Sequence, residues 1–292
     1  MLVLSAGTGR VVQAVARELA RLPGPKRFLS AGTAREVVPG FDPVAPGAAD
    51  RAARERALDG ARNLVVLPTF DARAADAQAA LIREAAAAGV RRIQLGSLIG
   101  ADSRSPVRLL RWVGLLEREV TGTGLPHDVL RCAPFMQNLA LFTRQDAGGL
   151  TVAGPFRDAA FPWLDAADVG VVLAGALARD ADEIAQNASP SLLCQLTGPK
   201  EVGFEAVAER LGAALRERVR YVDICLPEAQ GLLEANGFAS SQIRALTEYW
   251  DYLVSGVIKP SCCDTALKVL GRPPHTLDEY FAEHAPELRR AA

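Results

Sequence analysis

The sequence predicts an α/β fold: a Rossmann-like, doubly wound parallel sheet followed by a smaller C-terminal α/β lobe. In the first half of the chain, short apolar runs alternate with amphipathic helical stretches, as they do in successive βαβ units. The apolar runs are continuous, which indicates strands buried on both faces of a sheet. The first run leads through the glycine turn SAGTGR into a helical pattern, the arrangement that places a pyrophosphate at a helix N-terminus.

Five strands and four helices are predicted in this first half. The strands cover residues 2–5, 27–31, 63–67, 92–95 and 128–131. The helices cover residues 10–22, 48–58, 72–88 and 107–120. Between the second and third of these strands, VVPGFDPVAPG is so rich in proline and glycine that only a short strand without defined limits is expected.

Beyond about residue 135 the pattern becomes less regular. A helix is expected from about Ala167, followed by the strand SLLCQL, the amphipathic helix GFEAVAERLGAALRERV and the strand VRYVDICL. The last helix is expected to be capped by Thr276, with Glu279 three residues later. We therefore predict a nucleotide-binding domain over residues 1–150 and a smaller substrate-binding lobe over residues 151–292, interleaved with the first rather than independent of it.

The composition excludes several classes of partner. The 292 residues include 49% hydrophobic and 23% charged residues and carry a formal net charge of −1, so no broad basic face for nucleic acid or anionic lipid is expected. The five cysteines form no CxxC pair, which favours reduced thiols and no metal site. The first strand follows Met1 directly, and no apolar run approaches the ~20 residues of a membrane span. We expect a cytoplasmic protein with a small-molecule substrate, and a homodimer remains open.

The glycine turn departs from the usual dinucleotide fingerprint. Only Gly7 and Gly9 are glycines, and Val12 stands three residues after Gly9, where a third glycine usually permits close packing of helix on strand. A β-branched side chain at this point should push the helix outward or shift the phosphates. The turn is therefore either a modified nucleotide cradle or a strand-helix turn that holds no nucleotide.

Several segments together resemble the NmrA-like branch of the atypical short-chain dehydrogenases/reductases. The most specific are RCAPFMQNL, and WLDAADVG followed by LTGP; LVLSAGTGRVV, AAAAGVRRIQLGSLIGAD and LGRPPHTLDEYFAEHAP add to them in the family's order. The resemblance covers nearly the whole chain. It implies a Rossmann domain that binds NAD(P) and a small C-terminal lobe that closes over a substrate cleft, in a family of reductases and redox-sensing regulators.

The resemblance also implies which residues would hold the cofactor. Thr33 falls where the family's NADP-selecting arginine would be, Arg35 lies just beyond, and no acidic residue ends the second strand, so NADP is favoured over NAD. Ser97 corresponds to the family residue near the nicotinamide ribose. The complete set of implied cofactor-binding residues is Gly7, Thr8, Gly9, Arg10, Val11, Thr33, Arg35, Pro68, Thr69, Ser97 and Phe135.

The catalytic residues are not identified by the sequence. Short-chain reductases usually carry a Tyr-x-x-x-Lys pair for proton transfer, but residues 1–220 contain no tyrosine. Val113 stands four residues before Glu117, where the family keeps a lysine or histidine. Ser97 and Asn138 remain as catalytic candidates. A substrate pocket is expected to be lined by Trp112, Met136, Asn138, Trp163, Tyr249 and Trp250, with core packing as the alternative for its aromatic members and for Met136.

Three functions fit these observations. The first is an NADP-linked reductase or isomerase of a small apolar carbonyl or quinone compound, in which hydride transfer depends on positioning more than on an acid. The second is a cofactor-independent cyclase, isomerase or dehydratase that uses the vacated cleft. The third is a non-catalytic regulator that senses NADP.

Overall fold

The computed structural model describes residues 1–7, 9–31, 37–183 and 191–292. The strands are β1 (Leu2–Ala6), β2 (Lys26–Ser30), β3 (Asp42–Pro43), β4 (Asn63–Val66), β5 (Arg92–Leu98), β6 (His127–Cys132), β7 (Thr143–Asp146), β8 (Gly149–Gly154), β9 (Ala160–Phe161), β10 (Leu192–Leu196), β11 (Val202–Gly203) and β12 (Val219–Asp223). The α-helices are α1 (Arg10–Ala20), α2 (Arg51–Leu58), α3 (Ala72–Ala87), α4 (Arg108–Gly122), α5 (Ala166–Glu183), α6 (Phe204–Leu215), α7 (Leu226–Ala235), α8 (Ser240–Val254), α9 (Thr265–Leu270) and α10 (Leu277–Ala291); Met136–Leu141 form a 3-10 helix.

The main sheet has seven strands in the order β10-β6-β5-β4-β1-β2-β3. The pairs from β3 through to β6 are parallel, which confirms the predicted α/β, Rossmann-like fold. The strand order reverses between β1 and β4, so β1-β2-β3 and β4-β5-β6 form the two halves of a doubly wound sheet. In such sheets ligands bind outside the carboxyl ends of the strands at this reversal.

Two element limits differ from the sequence-based expectation for identifiable reasons. Strand β5 continues through Gly96 to Leu98, and a Cβ on Gly96 would come within 2.8 Å of a methyl of Leu67. This glycine therefore serves close packing inside the strand and does not end it. Helix α2 begins at Arg51 and not at residue 48, because the Asp50 carboxylate accepts a 2.6 Å hydrogen bond from the Ala53 N–H and caps the helix there.

The chain forms two compact units. The first comprises Met1–Cys132 with Ala166–Gln195, and the second comprises Ala133–Asp165 with Leu196–Ala292. The first unit contains most of the seven-stranded sheet and helices α1 to α5, and the second contains helices α6 to α10. The assignment of nucleotide binding to residues 1–150 and substrate binding to residues 151–292 stays a prediction, because packing alone does not assign a ligand to either unit.

A buried ionic network lies in the first unit. Arg92 Nη1 donates to Asp128 Oδ1 at 2.9 Å, and the two side chains are only 2% and 5% exposed. The Gln94 amide donates to Asp128 Oδ2 at 3.0 Å and to the Leu173 carbonyl at 3.2 Å. Both carboxylate oxygens of Asp128 are thus engaged, as a buried charge requires. The network connects neighbouring strands β5 and β6 to helix α5.

The second unit is organised around aromatic rings. Phe156 and Phe204 stack with centroids 4.3 Å apart, and Phe142 contacts both edge-on. Phe161, Trp163, Tyr221 and Trp250 complete this aromatic cluster. The predicted cap of α10 is confirmed: Thr276 accepts from the Glu279 N–H, and the Glu279 carboxylate accepts from the Thr276 N–H.

Within the described ranges, no helix combines the length and apolar character needed to cross a membrane. The same part of the chain contains no group of three or more His, Cys, Asp or Glu side chains placed to hold a metal ion.

Candidate functional site

The carboxyl ends of β1, β4 and β5 bring the predicted cofactor-binding segments together in the first unit. Ser5 of β1 pairs with Val66 of β4, and Val66 pairs with Leu95 of β5. Gly7 and Thr69, which follow β1 and β4, and Ser97, the penultimate residue of β5, therefore lie at the same edge of the sheet. Thr8, Thr33 and Arg35 lie outside the described residues.

The turn after β1 retains space at a helix N-terminus. Gly9 precedes α1 with φ −105° and ψ 176°, an extended conformation open to any residue, and no side chain caps the helix. A Cβ on Gly9 would meet no protein atom within 4 Å, whereas a Cβ on Gly7 would come to 3.1 Å from the Thr69 methyl group. Neither backbone strain nor packing within the described chain thus requires glycine at position 9. The open space lies where backbone N–H groups bind anions.

Thr69 places an unsatisfied hydroxyl beside this turn. Its Oγ1 is buried and makes no hydrogen bond within the described chain. A buried hydroxyl without a partner is costly, and a polar atom of a bound ligand would satisfy it. The free space at Gly9 and the hydroxyl of Thr69 together fit a phosphate-bearing nucleotide.

Gln78, which is not among the residues predicted from the sequence, holds the ends of β1 and β4 together beside this turn. From the fully buried face of α3, its amide donates to the Ser5 carbonyl at 3.2 Å and to the Leu67 carbonyl at 3.0 Å. These bonds tie the ends of β1 and β4 together. The feature of the sequence that could have indicated its role is a glutamine on the apolar face of an alanine-rich helix.

The other residues of the turn differ in exposure. Arg10 is exposed and Val11 is half-buried. Val12 is 8% exposed and lies on the buried face of α1 with Val15, Ala16 and Leu19. That Val12 pushes the helix outward or shifts the phosphates stays a prediction.

Ser97, Glu117 and Arg131 form a hydrogen-bonded triad in the first unit. The Ser97 hydroxyl donates to Glu117 Oε1 at 2.5 Å, while Arg131 donates through Nε to Oε1 at 2.9 Å and through Nη2 to Oε2 at 2.6 Å. The bidentate contact raises the pKa of Arg131 despite the opposing effect of burial. Because the Ser97 proton is directed to the Glu117 carboxylate, this hydroxyl is poorly placed to donate a proton to a substrate.

Exposure increases along this triad. Ser97 is 3% exposed, and the side chains of Glu117 and Arg131 are 13% and 29% exposed. Ser97 is a site residue predicted from the sequence, whereas Arg131 is not. The available signal was an arginine inside the apolar strand DVLRC, opposite Ser97 in the predicted sheet; the two residues pair directly in the observed register.

Helix α4 is held close to the loop that follows β5. A Cβ on Gly114 would lie 2.3 Å from the Ser103 nitrogen and 2.4 Å from the Asp102 carbonyl carbon. The Asp102 N–H also donates to the Leu110 carbonyl at 3.2 Å. This approach lets Glu117, one turn further along α4, reach Ser97. Position 113, four residues before Glu117, is a valine that is 1% exposed, so it offers no proton donor. Trp112 beside it is half-buried.

Phe135, predicted to bind the cofactor, and the remaining predicted substrate residues lie in the second unit. Phe135 bridges to Leu164, and the Met136 N–H donates to the Leu164 carbonyl at 3.0 Å. Asn138 is half-buried and Met136 is fully buried. Trp163 and Trp250 belong to the aromatic cluster, and Tyr249 is 7% exposed. The cofactor-binding role of Phe135 and the role of the other residues as a substrate wall stay predictions.

The sequence is similar to those of known oxidoreductases. It is 31% identical over 293 residues to the NAD(P)H azoreductase of Xenophilus azovorans, covering 98% of each chain. It is 28% identical over 209 residues to the uncharacterized oxidoreductase YesF of Bacillus subtilis, covering 70% of this chain and 67% of that one. No family model matches the sequence.

Solved structures share the fold at lower identity. The quinone oxidoreductase QOR2 of Escherichia coli, complexed with NADPH, has a TM-score of 0.74 at 20% identity over 97% of this chain and 99% of that one. The triphenylmethane reductase of Citrobacter sp., complexed with NADP(H), has a TM-score of 0.74 at 16% identity, covering 98% and 100%. The negative transcriptional regulator NmrA, complexed with NAD, has a TM-score of 0.69 at 19% identity, covering 99% and 97%.

Proposed function

The chain belongs to the NmrA-like family of atypical short-chain dehydrogenases/reductases, and on this premise we propose that it is an NADP-dependent reductase of small apolar quinones. The observation that carries the proposal is the turn at Gly9. Its glycine is required neither by backbone conformation nor by a neighbour within the described chain, and it leaves space at the N-terminus of α1. A bound pyrophosphate explains why that space is kept.

The residues of the first unit would hold the cofactor at the carboxyl ends of the strands. The N-terminus of α1 would bind the pyrophosphate, and Thr69 Oγ1 would gain a hydrogen-bond partner. The preference for NADP rests on the sequence KRFLSAGTAR, which has no acidic residue at the end of the second strand. When bound, NADPH supplies a hydride, and the protein's own contribution is to position the acceptor and exclude competing reactions.

The absence of a Tyr-x-x-x-Lys pair, the usual source of the proton, favours a quinone over an isolated ketone as the substrate. A hydride added to a ketone leaves a localised, strongly basic alkoxide, whose formation needs a proton donor such as the absent tyrosine. A hydride added to a quinone leaves a hydroquinone anion whose charge is spread over the ring, and this anion takes its proton from water. The buried Val113 and the engaged Ser97 hydroxyl are compatible with the second case.

A turnover assay tests this proposal. We expect NADPH to be oxidised by a naphthoquinone at least about a hundredfold faster than by an aliphatic ketone of similar size, since a general acid contributes about 10²–10⁴-fold where it is needed. An azo dye and NADH serve as alternative acceptor and donor, and a protein-free reaction corrects for direct reduction. Equal rates with ketone and quinone, or turnover of the azo dye alone, would contradict the assignment.

A regulator that binds NADP without turnover is the second candidate. Two sequence features favour it: position 113, four residues before Glu117, is neither Lys nor His, and residues 1–220 contain no tyrosine. Saturable binding of NADPH without oxidation by any of the three acceptors would select this candidate. A protein that binds no nucleotide would contradict both candidates and favour the cofactor-independent alternative.

A further inference from the structure

Arg131 is the most exposed member of the Ser97-Glu117-Arg131 triad, and part of its guanidinium remains available. Nε and Nη2 contact Glu117, whereas Nη1 makes no hydrogen bond to any residue that the structure describes. A guanidinium carries five N–H donors in a fixed plane. The carboxylate thus binds one edge of the guanidinium, the edge formed by Nε and Nη2, and the Nη1 donors are held in a defined direction.

The sheet register places this group in the nicotinamide half of the predicted cofactor site. Arg131 is the penultimate residue of β6 and pairs with Ser97 near the end of β5. Strands β4, β5 and β6 lie on the opposite side of the reversal point from β2 and β3. In a doubly wound sheet the two halves of a dinucleotide bind on the two sides of that point, so the adenine half belongs over β2 and the nicotinamide half over β5 and β6.

The charge of the pair indicates the kind of group it binds. Glu117 balances the charge of Arg131 at 2.6 Å, so the pair offers a fixed donor with little net positive charge. Such a donor suits a neutral hydroxyl better than a phosphate, for which uncompensated Arg or Lys is the usual partner. The Val113 side chain one turn before Glu117 is apolar and 1% exposed, so it supplies no competing donor.

We propose that Arg131 Nη1 donates a hydrogen bond to a ribose hydroxyl in the nicotinamide half of NADPH, and that Glu117 and Ser97 are positioning residues that hold the guanidinium for this contact. Ser97 orients one oxygen of Glu117, and Glu117 binds the Nε–Nη2 edge of Arg131 with both oxygens. This inference rests on the proposed binding of NADPH. It replaces the expected direct contact of Ser97 with the cofactor by an indirect role.

Two nucleotide probes test this contact. NADPH contains the nicotinamide half, whereas adenosine 2′,5′-bisphosphate contains only the phosphorylated adenine half. In Arg131→Lys the charge beside Glu117 is kept, but the planar fork and its Nη1 donors are lost. We expect this variant to bind NADPH about tenfold more weakly, the factor for one charge-assisted hydrogen bond, and to bind the bisphosphate with unchanged affinity. Arg83→Lys, in the exposed pair with Glu119, is the matched control and should change neither affinity.

The outcomes separate this inference from the proposed function. If the wild-type protein binds neither probe, the proposed function fails. If the wild type binds both but Arg131→Lys binds NADPH normally, or loses both probes in equal proportion, only the contact of Arg131 is refuted. Should Arg131→Lys not fold, the charge-neutral variant Glu117→Gln/Arg131→Gln replaces it, and the same selective loss of NADPH affinity is required.

Discussion

Replacing Asp128 by alanine is expected to lower the free energy of unfolding by about 3–5 kcal/mol, the usual cost of breaking a buried ion pair from one side. The Arg92 and Asp128 side chains are 2% and 5% exposed, and both oxygens of Asp128 accept hydrogen bonds. The variant removes the carboxylate that balances the buried guanidinium and that orients Gln94 between β6 and α5. Denaturant unfolding, analysed for its midpoint and slope, measures the loss.

Two control variants test whether the loss of stability comes from the buried charge. Glu119→Ala removes the carboxylate of the exposed pair with Arg83 and should cost less than about 1 kcal/mol. Arg92→Met/Asp128→Leu removes both buried charges at similar volume and should cost less than Asp128→Ala alone. If Asp128→Ala destabilises no more than Glu119→Ala, the buried network does not stabilise the first unit as described.

Replacing Gly114 by alanine is expected to destabilise the protein by about 2–3 kcal/mol, in the range measured for overpacked cores. The added Cβ would lie 2.3 Å from the Ser103 nitrogen and 2.4 Å from the Asp102 carbonyl carbon. Both are backbone atoms, so the clash cannot be relieved by rotating a side chain. Helix α4 must then move away from the loop after β5. Because α4 carries Glu117, we also expect weaker binding of NADPH.

Gly122→Ala is the matched control for this prediction. It is the same substitution in the same helix, but its Cβ would meet no atom within 4 Å. Since alanine is the better helix former, Gly122→Ala should be neutral or stabilise by up to about 1 kcal/mol. Equal melting temperatures for the two variants would show that the close approach of α4 is not what limits the packing.

The strands were predictable because each is defined by its own residues. The sheet is covered on both faces, so LVLS, NLVV and DVL read as continuous apolar runs without reference to any distant residue. The start of α2 was not predictable from periodicity, since the alanine-rich pattern begins before the helix does. Only the cap by Asp50 determines where the helix starts.

The candidate site was predictable only in part. The glycine turn is local in sequence, and its position after β1 follows from the pattern. Gln78, Glu117 and Arg131 act through contacts that depend on strand register and on how closely α3 and α4 approach the sheet. Helix α4 can approach the loop at residues 102–103 because residue 114 is glycine. This requirement is visible only in the folded structure, where the loop packs against the helix. A local pattern contains no information about such distances.

A fluorescence titration of wild type and Gly9→Ala with NADPH measures whether the turn at Gly9 binds the pyrophosphate of NADPH. The variant adds one Cβ in space that is empty of protein atoms within 4 Å, so its stability should change by less than about 1 kcal/mol. We expect saturable binding to the wild type and at least about tenfold weaker binding to the variant, because the Cβ displaces the phosphates. Binding of NADPH with equal affinity to both proteins, or to neither at millimolar concentration, would show that the turn at Gly9 does not bind the pyrophosphate.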